Sequence, residues 1–427
     1  MYPLSSWLNT QTEQGLRRTP HPTLDALMAD TCFDFASNDY LSLARQGLPE
    51  PTTHTPLHQG YLYGAGSARL VAGTHDAILK LEARIAHWKH TESCVIFPTG
   101  FQANISAIPA LVYPTPSRHV WLLSDKLNHA SLNEGCRLAT LEGATWKRYR
   151  HHDLPQLERL LQQVHHEAKA KGYKYPEVWI MTESVFSMDG DIAPLESLCT
   201  LADRYGAKLY LDEAHAAGVM GPEGQGLAHA LGCHTKPCLQ EGIQMGTFSK
   251  AMGCMGGYIA GSHDLTQLMW QRAKGLIYTT ALPPLLIDHL HHVLDWLMTP
   301  TITLSSHATA EATPSQHFQT GLKQAQSLFE PLKASLAVTP QTSFTIPDAW
   351  FQSPVEASPL CFSPIVPVYA PSIETLLTMK DTLMTKRFLV GAIRPPTVPQ
   401  GTQRLRISLH AHNDLETLQA LLRCLHP

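Results

Sequence analysis

Very little in this chain of 427 residues carries an electrical or membrane label. The formal net charge at pH 7 is −4 and the isoelectric point lies near 6.7. That leaves no basic footprint for nucleic acid or for an anionic membrane surface. The opening MYPLSSWLNTQTEQGLRR lacks the apolar core that a secretory leader needs. The longest mostly apolar stretch, Ala281–Met298, is broken by Asp288, His289, His291, His292 and Asp295. It reads as amphipathic rather than membrane-spanning. Nine cysteines are scattered without a Cys-x-x-Cys pair, which suits a reducing, cytoplasmic setting. There is no Walker A lysine loop, no GxGxxG and no internal repeat, so the usual nucleotide cradles are excluded.

What is present is an ordinary globular composition, 44% hydrophobic, in a length that suits two domains or one with an appendage. Residues 1–45 read as an N-terminal arm, with Phe33–Leu41 a strand running into a turn. Residues 46–298 read as a large domain and 299–427 as a smaller α+β domain. Gly60–Gly73 is too glycine-rich to be regular throughout. Short apolar runs at Cys94–Phe97, His119–Leu123, Val178–Thr182, Lys208–Leu211 and Ile243–Met245 predict strands. Helical spacing is predicted over Thr74–Lys89, Ala103–Leu111, Leu154–Lys169 and Leu195–Tyr205. This alternation predicts an α/β domain with a mainly parallel central sheet covered by helices. In the last part, Phe362–Tyr369 and Leu405–Leu409 are expected as strands, Ser372–Lys386 and Asp414–Leu425 as helices. The Thr/Ser/Ala-rich 299–316 and the stretch 344–359 read as surface insertions.

In parallel sheets ligands sit beyond the carboxyl ends of the strands, and the residues able to do chemistry follow those ends. Lys250 lies in MGTFSKAMGCMGG, Met245–Gly257, behind Thr247 and Ser249 and before three glycines. A free ammonium is costly to bury, so a covalently occupied lysine or a solvated loop residue are the two readings. Asp212 ends KLYLD, with His215 three residues on. An acid there can hold a metal, with Glu183 and His129 as recruits, or pair with a protonated ring nitrogen. Gly100-Phe101 opens a helix after a strand, where free N–H groups suit an anion. His129 follows another strand, and a lone histidine there packs more often than it reacts. Cys233, His234 and Cys238 lack a second matching pair, which argues against zinc. Paired histidines such as His151-His152 read as solvated.

Six segments, TFSKAMGCMGG, LDEAHAAGVMG, TESVFSMDGD, SNDYLSL, PTGFQAN and LNHASL, together resemble the α-oxoamine synthase family. These are pyridoxal-phosphate enzymes of the type I aminotransferase fold, with a large domain and a smaller C-terminal one. The likeness spans roughly residues 15–425. AIRPPTVPQGTQRLRISL, near the C-terminus, is similar to the branch that condenses L-alanine with a pimeloyl thioester in biotin synthesis. A glycine-using sister synthase and a silent partner subunit are the rival readings. The resemblance implies that Lys250 carries pyridoxal 5'-phosphate as a Schiff base and acts on the substrate's α-proton. It implies that Asp212 pairs with the ring nitrogen, His215 with the ring's phenolic oxygen, and that His129 stacks on the ring. Ser187 and Thr247 would hold the cofactor and Gly100-Phe101 its phosphate. Thr279 and Thr280 match a phosphate contact from a second subunit, implying a homodimer with shared sites. Asn38 and Arg406 match positions that hold the amino-acid carboxylate. Arg17, with Arg18 adjacent in register, and Thr397 match positions that contact the acyl substrate. An interdomain ion pair is the alternative use for Arg406. Ala216-Ala217 departs from the small-hydroxyl pair common after Asp-x-x-His.

Overall fold

The computed structural model describes residues 4–18, 20, 23–29, 31–48, 63–113, 118–173, 175–302, 311–336, 344–348 and 361–425. Successive side chains of a strand point to opposite faces, and in a sheet covered on both sides each face must be apolar. Arg118–Asp125 shows this directly. Val120 and Leu122 join one core cluster, with Ile108 and Leu132, while Trp121 and Leu123 join another, with Leu157 and Leu161. Trp121 and Trp179 are fully buried, and truncating such a residue to alanine costs about 3–5 kcal/mol.

Seven strands form the large sheet: β2 (Ser93–Phe97), β3 (Arg118–Asp125), β4 (Thr145–Tyr149), β5 (Tyr175–Glu183), β6 (Lys208–Asp212), β7 (Ile243–Thr247) and β8 (Gly257–Gly261). Their order is β2-β8-β7-β6-β5-β3-β4. The β3–β7 pairings are parallel, whereas β8 runs antiparallel to β2 and β7. The five expected strands are present. β4 and β8 carry no such apolar signal: β4 is a half-exposed edge, and β8 is a glycine-bounded run buried throughout. The structure adds helices at Ala130–Leu141 and Pro314–Leu336 to those expected.

A second sheet holds β1 (Phe33–Phe35), β11 (Ile365–Tyr369), β12 (Phe388–Ile393) and β13 (Arg404–Ser408), in the order β1-β12-β13-β11. β1 pairs parallel with β12, Phe33 opposite Phe388, so the N-terminal arm closes the C-terminal sheet. Residues 303–310 and 349–359 of the two expected insertions lie outside the described residues. At the base of the first, β9 (Thr301–Ile302) and β10 (Glu311–Ala312) pair antiparallel. Residues 63–73 include a turn of π-helix at Arg69–Gly73.

The His151-His152 pair is not simply solvated. His151 Nδ1 lies 3.0 Å from Asp125 Oδ1 and Nε2 2.6 Å from Asp191 Oδ2. Burial alone would push His151 down, but the hydrogen bonds and charges of the two carboxylates outweigh it and lift the ring to about 10. A raised folded-state value stabilises fully below the unfolded pKa of about 6.5 and loses that contribution as pH rises through about 10. His151→Gln should therefore lower unfolding free energy by about 1–3 kcal/mol near neutrality. The gap should close above pH 10 in denaturant titrations; a pH-independent difference would contradict the charged pairing.

Candidate active site

β5, β6 and β7 run parallel and end side by side, with Glu183 opposite Asp212 and Asp212 opposite Met245. Asp212 is 4% exposed. Its Oδ1 accepts from the Ala214 N–H at 2.9 Å and its Oδ2 from Asn104 Nδ2 at 2.8 Å. Tyr210 donates to Asn104 Oδ1 at 2.8 Å, which fixes that amide's orientation. The other Asn104 N–H reaches Ser131 Oγ at 2.9 Å, and Ser131 lies 2.7 Å from His129 Nδ1. Because the Ser131 N–H also donates to Nδ1, at 3.2 Å, the His129 proton belongs on Nε2. One network thus orients both the acid and the imidazole.

Glu183 is buried and accepts from the His129 N–H. Burial first, and then the Asp212 charge, push it well above the usual carboxylate range. The sequence offered Glu183 only as a metal ligand; its place opposite Asp212 comes from strand register.

Lys250 is half-buried in the turn after β7. Burial lowers its amine to about 8, against the opposing pull of Asp212 and Glu183 and with help from Arg406. Thr247 ends β7 and donates to the Gly256 carbonyl at 2.8 Å, with Ser249 Oγ 2.8 Å away. The helix Gly100–Ala110 starts beside it, with Thr99 as its cap accepting from the Gln102 N–H at 3.1 Å. The Gly100 and Phe101 N–H groups lie in the first turn, where no helical carbonyl can meet them. A Cβ on Gly257 would sit 2.6 Å from Gly100 Cα, so only glycine lets this helix end approach β8. Thr279 Oγ1 accepts from Gln102 Nε2 at 2.7 Å, which brings it to the same helix end within one chain. Thr280 is exposed and bridges to Ala68.

His215 is 5% exposed, and burial, followed by the charges of Lys250 and Arg406, pushes it well below the usual range. It is a neutral ring. Its Nδ1 lies 2.7 Å from Tyr40 Oη, which is also 3.1 Å from Asn38 Oδ1 and accepts from Arg406 at 3.2 Å. The single phenolic proton is best spent on the shorter contact, leaving His215 Nε2 protonated. Tyr40 lies within SNDYLSL, where nothing local says that it meets β13.

Arg406 is 5% exposed. Its other contacts are the Ser187 carbonyl at 2.6 Å and Ser408 Oγ at 2.9 Å. Among the described residues it makes no ion pair, so the interdomain salt bridge falls instead to Arg404 with Asp189. Arg18, not Arg17, turns its guanidinium to Thr397, at 2.7 Å. Arg17 folds back on Thr12 at 3.3 Å, its carbonyl taken by Arg394. The Arg18–Thr397 pair is exposed and stands apart from the buried set. Ala216 and Ala217 are buried in the core.

These groups fit pyridoxal phosphate. A lysine that deprotonates readily suits an aldehyde, a buried carboxylate suits a ring N–H, and a neutral imidazole suits a phenolic oxygen. A glycine-lined helix N-terminus with flanking hydroxyls suits a phosphate.

The model of the class I and II aminotransferase family matches residues 30–425. The 8-amino-7-oxononanoate synthase of Gluconacetobacter diazotrophicus is 36% identical over 92% of this chain and 86% of its own. That of Anaeromyxobacter dehalogenans is 35% identical over 98% of this chain and 94% of its own. Among solved structures, a serine palmitoyltransferase of S. paucimobilis with bound PLP and myriocin aligns with a TM-score of 0.70 and 23% identity, over 92% of this chain and 86% of that one. The 8-amino-7-oxononanoate synthase of Francisella tularensis aligns at 0.62 and 24% identity, over 93% and 97%. Both structures share the fold, and the sequence relatives carry the kinship: the chain belongs to the aminotransferase class I and II family and, within it, to the pyridoxal-phosphate-dependent α-oxoamine synthases.

Proposed function

We propose that the chain is an 8-amino-7-oxononanoate synthase, joining L-alanine to a pimeloyl thioester in biotin synthesis with release of CO2 and of the thiol carrier. The observation that carries the amino-acid half is Arg406, a buried guanidinium held by neutral oxygens beside Tyr40 and Asn38. A buried charge calls for a partner, and a substrate carboxylate supplies one. The names of the 35–36% identical relatives support the acyl half.

Pyridoxal phosphate, when bound, supplies an aldehyde that bonds amino groups and a ring that delocalises negative charge from the amino-acid Cα. Lys250 would hold it, Asp212 would keep the ring nitrogen protonated, and His215 would donate to the phenolic oxygen. Ser187 and Thr247 would line it, with Gly100-Phe101 and the Thr279-Thr280 pair at the phosphate and His129 against the ring face. Arg406 and Asn38 would grip the alanine carboxylate, which sets the bond at Cα that is weakened. Lys250, near pKa 8, keeps enough neutral amine to take the α-proton at physiological pH. Arg18 and Thr397 would meet the distal carboxylate of the acyl chain.

The same reading includes a cytoplasmic homodimer with shared sites. Leu70 (57% exposed), Val71 (82%) and Tyr278 (79%) flank the Ala68–Thr280 bridge, an apolar surface that a second copy would cover. It also keeps 1–45, 46–298 and 299–427 as the working units, with β1 lent by the arm to the last.

The test is turnover of pimeloyl-CoA with alanine against glycine, and of acetyl-CoA with each, following free thiol. Pimeloyl-CoA with alanine should be fastest; preference for glycine or the acetyl donor would assign the chain to a sister branch. The pocket difference is one methyl, about 1–3 kcal/mol. Tyr40→Phe should lower kcat/KM for alanine about 10–100-fold by leaving His215 Nδ1 without its donor and Arg406 without an acceptor. Unchanged steady-state constants would remove Tyr40 from the site.

A further inference from the structure

We propose that His90, His229 and His234 form a binding site for one divalent transition-metal ion of the zinc type, separate from the cofactor site. His90 follows the helix Asp76–Trp88, His229 lies in Leu227–Ala230 and His234 in the turn Cys233–Thr235. The last two belong to the connection between β6 and β7. One nitrogen from each ring lies within 4.8 Å of the other two. His229 and His234 lie parallel with centroids 4.2 Å apart, and His90 stands edge-on to them at 5.0 and 5.1 Å.

Three observations point to a ligand. His229 is 7% exposed, yet among the described residues both its ring nitrogens lack a hydrogen-bond partner, as does His234 Nδ1. Buried polar atoms are almost always paired, and each neutral ring carries one lone pair, so the lone pairs of His229 and His234 at one place call for a shared acceptor. His90 is held with φ at +48°, a left-handed conformation that a residue with a Cβ adopts at a cost, and this carries its ring to the other two. Finally, exposure is graded from His229 through half-buried His234 to exposed His90, which opens a way in for an ion and leaves a coordination position for water.

The donor set selects the metal. Three imidazoles without carboxylate or thiolate suit zinc, cobalt, nickel or copper and not magnesium or calcium. The neighbouring cysteines do not join: Cys233 and Cys238 are buried and turn to Cys199. The nearby Lys89 ammonium is fully buried against the Glu213 carboxylate, so its charge is compensated. Coordination draws the nitrogens together, and His229 and His234 must turn about χ2 to share the ion. Because the Ala228 N–H donates to Glu213 at 3.0 Å, next to Asp212, an ion here would brace the support beneath that strand tip.

The experiment strips the pyridoxal-phosphate-loaded protein with chelator, then titrates it with Co2+ by visible absorption and with Zn2+ by equilibrium dialysis. The expected result is one tight equivalent per chain with an intense tetrahedral cobalt band. His90→Gln and His234→Gln should each weaken binding about 100-fold or more and abolish the band, with turnover retained. Cys238→Ser should leave both unchanged. A cobalt spectrum of weak octahedral type, or affinity in both histidine variants equal to that of the parent protein, would overturn the site.

Discussion

Lys250→Ala should lower turnover by about 1,000-fold or more while the protein still takes up pyridoxal phosphate at reduced affinity. The loss combines two functions, attachment to the aldehyde and proton transfer at Cα, and general base catalysis by itself is commonly worth about 100–10,000-fold. Residual binding is expected because Asp212, His215 and the Gly100 helix end do not depend on the lysine. Steady-state rates, absorbance of the bound cofactor, and peptide mass after borohydride check the three parts. Near-parental activity, or an unlabelled Lys250 peptide in the parent protein, would refute the assigned lysine. A second readout avoids activity altogether. Lys250 has a folded-state pKa of about 8 against about 10.4 unfolded. Below pH 8 the folded chain carries a charge that it solvates poorly. Between the two values only the unfolded chain holds the proton, so stability rises with pH, and above about 10.4 the cost is gone. The cofactor-free Lys250→Met protein should accordingly be more stable than the parent by about 1–3 kcal/mol at pH 7, since the half-buried amine is partly screened. The difference should vanish by about pH 10.5.

Arg406→Met should reduce kcat/KM for alanine about 100–1,000-fold, chiefly through KM, because a charge-assisted contact in a dry site is lost. Arg406→Lys should recover little. One ammonium cannot meet the Ser187 carbonyl, Ser408 Oγ and Tyr40 Oη together and still present a planar fork to a carboxylate. Arg404→Met is the contrasting variant. Its guanidinium pairs with Asp189, which also accepts from Tyr369 at 2.7 Å, so the loss should appear as reduced stability with alanine KM nearly unchanged. If Arg406→Met leaves the alanine KM where it was, the carboxylate assignment fails.

Much of this was legible before any coordinates. Apolar runs of three to five residues place Lys250, Asp212, Gly100 and His129 after strand ends, because strand and turn chemistry are local. The parallel sheet then brings those ends to one edge. β8 escaped notice because Gly-Tyr-Ile-Ala-Gly gives no alternation when both faces are buried. β4 was missed because its polar edge resembles a loop.

By itself the amino-acid order determined the mainly parallel α/β design and, through six short segments, the pyridoxal-phosphate family, since these rest on residue types and short spacings; the roles of Lys250 and its partners follow from that kinship as part of the proposal. Only the tertiary structure decided that Tyr40 joins Arg406 to His215, that Glu183 is buried opposite Asp212, and that Arg18 rather than Arg17 meets Thr397. The tyrosine and Arg406 are 366 positions apart, and Arg18 and Thr397 are 379. No local pattern encodes a contact across that distance. Burial, which sets the protonation of Glu183, His215 and Lys250, likewise exists only once the whole chain has folded around them.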